Sequence, residues 1–242
     1  MPHQWCEFGD RQAMSAALAG AMGEGLSQAL AAAPAAGLIA AGGTTAPPVL
    51  ERLAAMELDW TRVRVTVSDE RWVNAQHEAS NERMVRDKLL RGPAARATFI
   101  PIYSEHATPE AAETFCHERL AAMPWRNTLC MLGMGSDGHA ASLFPGTAAL
   151  TDALNLNFGR FCKAVYPQAS PIAGPHPRMS LTLTALLQAR HIYLVITGVE
   201  KRAAFDRAVG GNDTRAMPVR AILQQTTVPV SVYWSPEVNA NA

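Results

Sequence analysis

The segment from residue 128 to 147 contains the residue types best suited to catalysis. It begins with an apolar run, 129–133, of the kind found in buried strands, and continues into a loop with three glycines among six residues. Such a loop lets the backbone approach a ligand closely. His139 follows the third glycine, and Ser142 comes shortly after it. An imidazole titrates near physiological pH, so this layout predicts an active-site loop with His139 as the candidate general base.

The same glycines fit the G-x-G-x-x-G pattern of dinucleotide-binding loops. That pattern needs a helix directly after it and an acidic residue about 20 positions further on. Here Pro145 interrupts any long helix, and no Asp or Glu occurs between Asp152 and Glu200. We therefore expect no nicotinamide site.

A second loop combines glycine with hydroxyl residues, in the run Gly42, Gly43, Thr44 and Thr45. It follows a short predicted strand, 37–41, and precedes a helical pattern over residues 49–56. Strand, glycine loop and helix in this order are typical of a phosphate site, because free backbone N–H groups and the positive helix end face the anion. A simple tight turn is the alternative interpretation.

Charged side chains follow the predicted strand 63–67, where Asp69 and Arg71 stand close together. In α/β folds ligands bind outside the carboxyl ends of the strands, so these residues are candidates for chemistry. The planar guanidinium of an arginine can pair with two oxygens of an anion at once. A solvated turn is the alternative. Asn81 lies in the run 80–83, which is typical of a capped helix start.

Positive charge dominates the stretch between Asp152 and Glu200, which contains Arg160, Lys163, Arg178 and Arg190 but no acidic residue. This indicates an anionic ligand, with an unrelated surface patch as the alternative. Lys201 follows directly, after a predicted strand at 191–196. A flexible lysine provides a point charge that can follow a phosphate or a developing oxyanion.

The run Asp-Gly-His-Ala-Ala-Ser-Leu-Phe-Pro at residues 137–145 resembles the signature of 6-phosphogluconolactonases. That signature usually reads Asp-Gly-His-Thr-Ala-Ser-Leu-Phe-Pro, so Ala140 replaces its threonine here. The related glucosamine-6-phosphate deaminases share Asp-Gly-His but continue with Ile-Ala-Phe-Asn-Glu. The segment 142–145 therefore favours the lactonase side of the family.

Other segments are similar to this family in the expected order, so that five motifs cover almost the whole chain. The resemblance implies a set of substrate-binding residues, namely Gly42, Gly43, Thr44, Thr45, Arg71, Asn81, Arg178 and Lys201. Two further departures stand out. Ala46 precedes the prolines of the first glycine loop, and residues 235–237 replace the family's Asp-x-x-Ala tail.

The resemblance implies hydrolysis of 6-phospho-D-glucono-1,5-lactone to 6-phospho-D-gluconate in the oxidative pentose phosphate pathway, without metal or cofactor. In this interpretation His139 activates water, and either Asp69 or Asp137 orients its imidazole. Ser142 as a nucleophile is the alternative mechanism, but the G-x-S-x-G elbow is missing. A glucosamine-6-phosphate deaminase or isomerase, or a phosphosugar-binding protein without catalysis, are the other interpretations.

The elements that must position these residues alternate between strand and helix from residue 37 to 234, which predicts an α/β fold with a mostly parallel sheet. Ahead of them, residues 11–33 predict a helix with an apolar face, and a strand at 98–103 and a helix at 109–123 are also predicted. The resemblance implies a Rossmann-like sheet with helices on both faces, as in deaminases and ribose-5-phosphate isomerases. We expect one domain over residues 1–242.

Composition limits the possible partners. Twenty-one basic and twenty-one acidic residues cancel, so neither nucleic acid nor an anionic membrane is indicated, and no obligate protein partner is predicted. The four cysteines are far apart, and the histidines lack ligand spacing, so we expect no disulfide frame and no metal. Residues 1–9 do not resemble a secretion signal, and a cytoplasmic location is expected.

Overall fold

The computed structural model describes residues 3–168 and 173–236, which contain two β-sheets and eight α-helices. The strands are β1 (Gln4–Glu7), β2 (Ala36–Ala40), β3 (Val63–Val67), β4 (Asp69–Arg71), β5 (Thr98–Phe99), β6 (Thr128–Gly133), β7 (Cys162–Val165), β8 (Arg178–Leu181), β9 (His191–Thr197) and β10 (Val230–Ser235). The helices are α1 (Arg11–Ala32), α2 (Ala46–Ala54), α3 (Asn81–Lys88), α4 (Pro109–Leu120), α5 (Leu150–Leu154), α6 (Leu183–Leu186), α7 (Val199–Val209) and α8 (Arg220–Leu223).

The larger sheet has seven strands in the order β1-β10-β9-β6-β2-β3-β5, and every neighbouring pair is parallel. From β2 the chain proceeds outward to β3 and β5, and then returns to the other side of β2 to form β6. The loops after β2 and β6 therefore leave the sheet in opposite directions. A crevice opens at such a point, outside the carboxyl ends of the strands.

The smaller sheet consists of β4, β8 and β7, with antiparallel pairing. The residues that follow β3 therefore do not form the solvated turn considered as an alternative. Asp69 pairs with Ser180 and Arg71 with Arg178, so that backbone groups of β4 are satisfied by β8 instead of by water. This pairing brings two predicted site arginines, distant in sequence, onto neighbouring strands.

The predicted helix at 11–33 is confirmed as α1. The side chain of Asp10 accepts a hydrogen bond from the backbone N–H of Ala13 at 2.7 Å, which caps the first turn. Leu18, Met22 and Leu26 recur every four residues and are fully buried, because this face of α1 contacts β2, β6 and β10.

Element boundaries differ most from the predictions at three places. The predicted strand 98–103 is paired only over β5, since Pro101 has no N–H to extend the ladder at this edge of the sheet. The helix predicted at 49–56 begins earlier, at Ala46, because Pro47 suits the first turn of a helix. The helix predicted at 109–123 ends at Leu120.

Cys130 is fully buried in β6, as the sequence predicted for a strand residue. No helix within the described residues combines the length and apolar character needed to cross a membrane. The predictions on a secretion signal and on the C-terminal tail include residues 1, 2 and 237, which lie outside the described residues.

Candidate active site

Four neighbouring strands, β9, β6, β2 and β3, end at one cavity of about 460 Å³. The loop after β2 contributes Gly42, Gly43 and Thr44, and the segment after β3 contributes Asp69 and Arg71. From further along the chain, Asn81, His139, Arg178 and Lys201 also line the cavity. Thus nine of the eleven predicted site residues meet at the crevice where the sheet topology reverses.

His139 and Asp137 form a close polar pair at this site. The Nδ1 atom of His139 lies 2.6 Å from Oδ1 of Asp137, and the same oxygen accepts the backbone N–H of His139 at 3.1 Å. Burial by itself would raise the pKa of Asp137, but the hydrogen bond and charge of His139 outweigh it and lower that pKa. An ionised Asp137 accepts a hydrogen bond from the N–H at Nδ1, so the lone pair of a neutral imidazole lies on Nε2.

The glycines of the central loop make room for this pair. A Cβ atom on Gly135 would lie 2.3 Å from the ring of His139, so a larger residue would displace the imidazole. Gly138 has a φ of +81°, in the left-handed region that favours glycine. The helix that follows this loop begins only at Leu150, so the loop lacks the adjoining helix of a dinucleotide site.

Asp69 lies in a different, buried network. Its Oδ2 atom accepts the hydroxyl of Ser142 at 2.6 Å and Nη1 of Arg178 at 3.2 Å, while Oδ1 accepts the hydroxyl of Ser68 at 3.0 Å. Burial opposes ionisation, but the charges of Arg178 and Arg71 and these hydrogen bonds lower the pKa of Asp69. Of the two carboxylates considered as partners of His139, Asp137 makes the contact and Asp69 does not.

Ser142 belongs to the same network. Its side chain is fully buried, its hydroxyl donates to Asp69, and its backbone N–H donates to the hydroxyl of Ser180 at 3.1 Å. It is not among the described residues that line the cavity. This geometry suits a structural role better than attack on a substrate.

Arg71 and Asn81 form one wall of the cavity. The Nη1 atom of Arg71 donates to the carbonyl of Ala79 at 2.7 Å and to Oδ1 of Asn81 at 3.3 Å. Asn81 in turn donates from Nδ2 to the carbonyl of Asp69 at 2.7 Å. A Cβ atom on Gly42 would lie 2.5 Å from Oδ1 of Asn81, which explains glycine at that position. The predicted helix start is confirmed, with Ser80 as the capping residue of α3.

Some predicted residues lie elsewhere. Thr45 is buried at the start of α2 and is not among the described lining residues. Lys163 forms ion pairs with Glu113 and Asp152, both at 3.3 Å. The region between Asp152 and Glu200 is therefore not one positive patch. Within its described part, Arg178 alone among the four cations reaches the cavity.

Sequence reasoning missed several residues that line the cavity, among them Ser68, Ser136, Ala141 and Phe144. The ring of Phe144 packs against His139, with centroids 4.3 Å apart. Phe144 lies in the same signature run as His139, and its apolar type concealed its contact with the site. Glu70, between two predicted site residues, was also missed. Among the described residues, no group of three or more His, Cys, Asp or Glu side chains is placed to hold a metal ion.

Fold and site together define a doubly wound α/β protein with a cationic cavity and an imidazole–carboxylate pair at the carboxyl edge of its sheet. Residues 9–234 match the family model described as glucosamine-6-phosphate isomerases/6-phosphogluconolactonase. The chain belongs to this family. The resemblance read from the sequence motifs is thus confirmed, as is the Rossmann-like α/β fold.

Relatives named 6-phosphogluconolactonase are similar over nearly the whole chain. That of Rhizobium meliloti (strain 1021) is 37% identical over 95% of this chain and 97% of its own length. That of Pseudomonas putida is 38% identical over 95% of this chain and 92% of its own length. The crystal structure of a 6-phosphogluconolactonase from Shewanella baltica OS155 has 36% identity and a TM-score of 0.92, covering 96% of this chain and 97% of that one.

Proposed function

We propose that this protein hydrolyses 6-phospho-D-glucono-1,5-lactone to 6-phospho-D-gluconate, a step of the oxidative pentose phosphate pathway. The observation that supports this most directly is the pair His139–Asp137 beside a cavity lined by Arg71, Arg178 and Lys201. A base and a set of cations are what hydrolysis of an anionic lactone requires. The names of the relatives at 37% and 38% identity agree with this substrate.

In the proposed mechanism, Nε2 of His139 removes a proton from water while the water oxygen forms a bond to C1 of the lactone. The bond between C1 and the ring oxygen then breaks, and the imidazolium returns the proton to that departing oxygen. Asp137 holds Nδ1 at 2.6 Å, so it orients the ring and stabilises the imidazolium. The side chain of His139 is 17% exposed, which leaves it accessible from the cavity.

We propose that the remote phosphate and the reacting end are held by Arg71, Lys201 and the loop at Gly42, Gly43 and Thr44. Gly43 has a φ of +77° and lies just before α2, where backbone N–H groups and the helix start favour an anion. Arg178 is held by Asp69 and by the carbonyl of Ala173, so its main contribution is a fixed positive charge.

The decisive experiment supplies fresh 6-phosphogluconolactone and follows acid release against spontaneous hydrolysis. We expect enzyme-dependent acid release from the lactone and no ammonia from glucosamine 6-phosphate. Ammonia release would identify a deaminase of the same fold. Stabilisation by 6-phosphogluconate without any turnover would identify a phosphosugar-binding protein.

We also propose that hydrolysis needs no metal, because an imidazole base and fixed cations supply the proton transfer and the charge stabilisation. Dialysis against a strong chelator should leave kcat and KM unchanged, measured with the lactone before and after treatment. A matched sample dialysed without chelator controls for losses. Activity that disappears and returns with a divalent ion would contradict this mechanism.

We further infer that residues 1–242 form one domain, since one apolar cluster extends from Met14 to Tyr233. A cytoplasmic location fits the free thiols of Cys6, Cys116, Cys130 and Cys162, because reducing compartments keep cysteines unpaired. We propose that the protein binds a small phosphosugar lactone, and that it binds no nucleic acid, no membrane and no obligate protein partner. Limited proteolysis tests the single domain, and cell fractionation tests the location.

A further inference from the structure

A buried carboxylate lies directly behind the cavity and has no part in the proposed chemistry. Glu70 is the middle residue of β4, and it is only 1% exposed. Its two oxygens accept four hydrogen bonds. Transfer of a carboxylate out of water is costly unless hydrogen bonds compensate for it. The burial of Glu70 is therefore compensated by these four hydrogen bonds, and the residues that donate them indicate what Glu70 does in the fold.

One oxygen of Glu70 holds the backbone of two residues that line the cavity. Oε1 accepts the N–H of Arg71 at 2.8 Å and the N–H of Asn81 at 2.7 Å. Arg71 and Asn81 are ten positions apart, at the two ends of the segment between β4 and α3. A single atom thus fixes both ends of this segment.

The other oxygen holds the first turn of α3. Oε2 accepts the N–H of Glu82 at 2.7 Å and the hydroxyl of Ser80 at 3.1 Å. The first N–H groups of a helix have no partner within the helix, and a carboxylate near them is also favoured by the helix dipole. Glu70 therefore caps α3 from another element of the fold.

The hydrogen bonds of the Arg71 side chain depend on how Glu70 holds the two ends of this segment. The guanidinium of Arg71 donates across the segment to the carbonyl of Ala79 and to Oδ1 of Asn81. If the start of α3 shifted, Arg71 would lose both acceptors. Groups that bind a substrate must be held within a fraction of an ångström to be effective.

We infer that Glu70 is a positioning residue for the anion site: it fixes Arg71 and Asn81, and its loss weakens substrate binding more than it slows the chemical step. For the identity of the substrate this inference rests on the proposed function. Glu70 itself does not line the cavity, within the part of the chain that the structure describes.

The positioning role depends on the protonation state of the carboxyl. Burial raises the pKa of Glu70 to about 7, against the opposing effect of the N–H groups of Asn81, Glu82 and Arg71, while the neighbouring charge of Asp69 adds to the increase. Protonation would place an O–H donor among groups that are themselves donors. Only the ionised form can accept all four hydrogen bonds.

The test compares Glu70→Gln with Glu82→Gln in the full-length protein. Glu82 is a buried glutamate of the same helix whose side chain pairs with Arg86 at 2.7 Å, while its contact with Glu70 is made by its backbone N–H, which the substitution retains. We expect Glu70→Gln to raise KM about tenfold and to change kcat less than about threefold, because charge-assisted hydrogen bonds are lost from the binding wall. Glu82→Gln should retain the wild-type KM.

Hydrogen exchange over residues 71–82 gives a second readout that needs no substrate. We expect faster exchange there in Glu70→Gln than in Glu82→Gln or the wild type. Wild-type KM together with wild-type exchange in Glu70→Gln would overturn the inference and leave the proposed function intact. If the wild-type protein has no lactonase activity, the proposed function fails, and exchange still decides the role of Glu70.

Should Glu70→Gln fail to fold, Ser80→Ala removes only one of the four donors. We expect this variant to raise KM about two- to threefold and to speed exchange over residues 71–82. The control is Thr108→Ala, which removes the cap of α4, where the Thr108 hydroxyl accepts from Ala111 at 3.3 Å. An effect of Ser80→Ala no larger than that of the control would contradict the inference.

Discussion

At the scale of single residues, the proposed mechanism has Asp137 determine which nitrogen of His139 acts as the base. The hydrogen bond at Nδ1 fixes the tautomer, and the contact with Phe144 fixes the plane of the ring. One residue of the glycine loop, Asp137, and the residue that directly follows the loop, His139, would thus form a defined proton acceptor. The proposed chemistry depends on this pair more than on any other contact.

Replacing His139 by Asn should lower kcat by roughly 10²–10⁴, the usual range for a positioned general base. Stabilisation by 6-phosphogluconate, measured as a shift in Tm, should remain. A base must be neutral to act, so kcat/KM of the wild type should fall as the pH is lowered, and the Asn variant should lose this dependence. His106→Asn is the control, since His106 is exposed and lies outside the cavity. A normally folded His139→Asn protein with near wild-type kcat would refute the base assignment.

Arg71→Ala should weaken binding of 6-phosphogluconate by about tenfold or more, because a hydrogen bond from a charged group contributes about 1.5–3 kcal/mol. The effect should diminish at high ionic strength, which screens accessible charges. Titration calorimetry at low and high salt measures both. Arg190→Ala removes an exposed arginine that does not line the cavity and should bind normally. Equal losses from the two substitutions would mean that the anion site is misplaced.

At the scale of elements, a buried network joins the central loop to the smaller sheet. Asp69 of β4 contacts Arg178 of β8 and Ser142 of the loop. Directly before Ser142, Ala141 has a φ of +51°, an unusual value for a residue with a side chain. The network therefore holds a strained loop in the conformation that presents His139.

Ser142→Ala tests whether this residue is structural or nucleophilic. Loss of its hydroxyl leaves the buried Asp69 with one donor fewer, which should lower the free energy of unfolding by about 1–3 kcal/mol. Activity should stay within about tenfold of wild type, since base and cations remain. Ser231→Ala, another buried serine that bonds His191 at 2.9 Å, controls for the stability loss. Complete loss of activity in a folded Ser142→Ala protein would support the nucleophile.

At the scale of the whole molecule, Glu70 should make stability depend on pH. Its pKa is about 7 in the folded protein and 4.5 for an unperturbed glutamate. Because the folded pKa is raised, this contribution to stability is complete below the unfolded pKa and is lost as the pH rises through about 7. The wild type should therefore lose about 3 kcal/mol of unfolding free energy relative to Glu70→Gln between pH 4.5 and 8.

Denaturant unfolding of both proteins at several pH values in this range measures that difference. Glu82→Gln serves again as the control, and its difference from the wild type should not follow the same curve. A difference between wild type and Glu70→Gln that is independent of pH would show that Glu70 is not shifted.

The sequence by itself determined the α/β fold, the family and most of the residues that meet at the cavity. Helix α1 and strand β3 follow from local periodicity, which depends only on neighbouring residues. The loop with His139 and Asp137 is one contiguous run, so its motif could be recognised without any knowledge of distant contacts. Because α/β folds bind ligands outside the carboxyl ends of their strands, the residues after the predicted strand 63–67 could be named as candidates from the sequence.

Only the tertiary structure decided how the buried charges are paired. Asp69 and Arg178 are 109 positions apart, and they meet because β4 pairs with β8 in a second sheet that no local pattern indicates. The same pairing buries Ser142 and directs Asp69 away from His139. Glu70 contacts Arg71 and the start of α3 through three backbone N–H groups and the Ser80 hydroxyl, and a backbone N–H is present in every residue type except proline. Contacts of this kind depend on the position of the chain in space, and side-chain chemistry in the sequence does not reveal them.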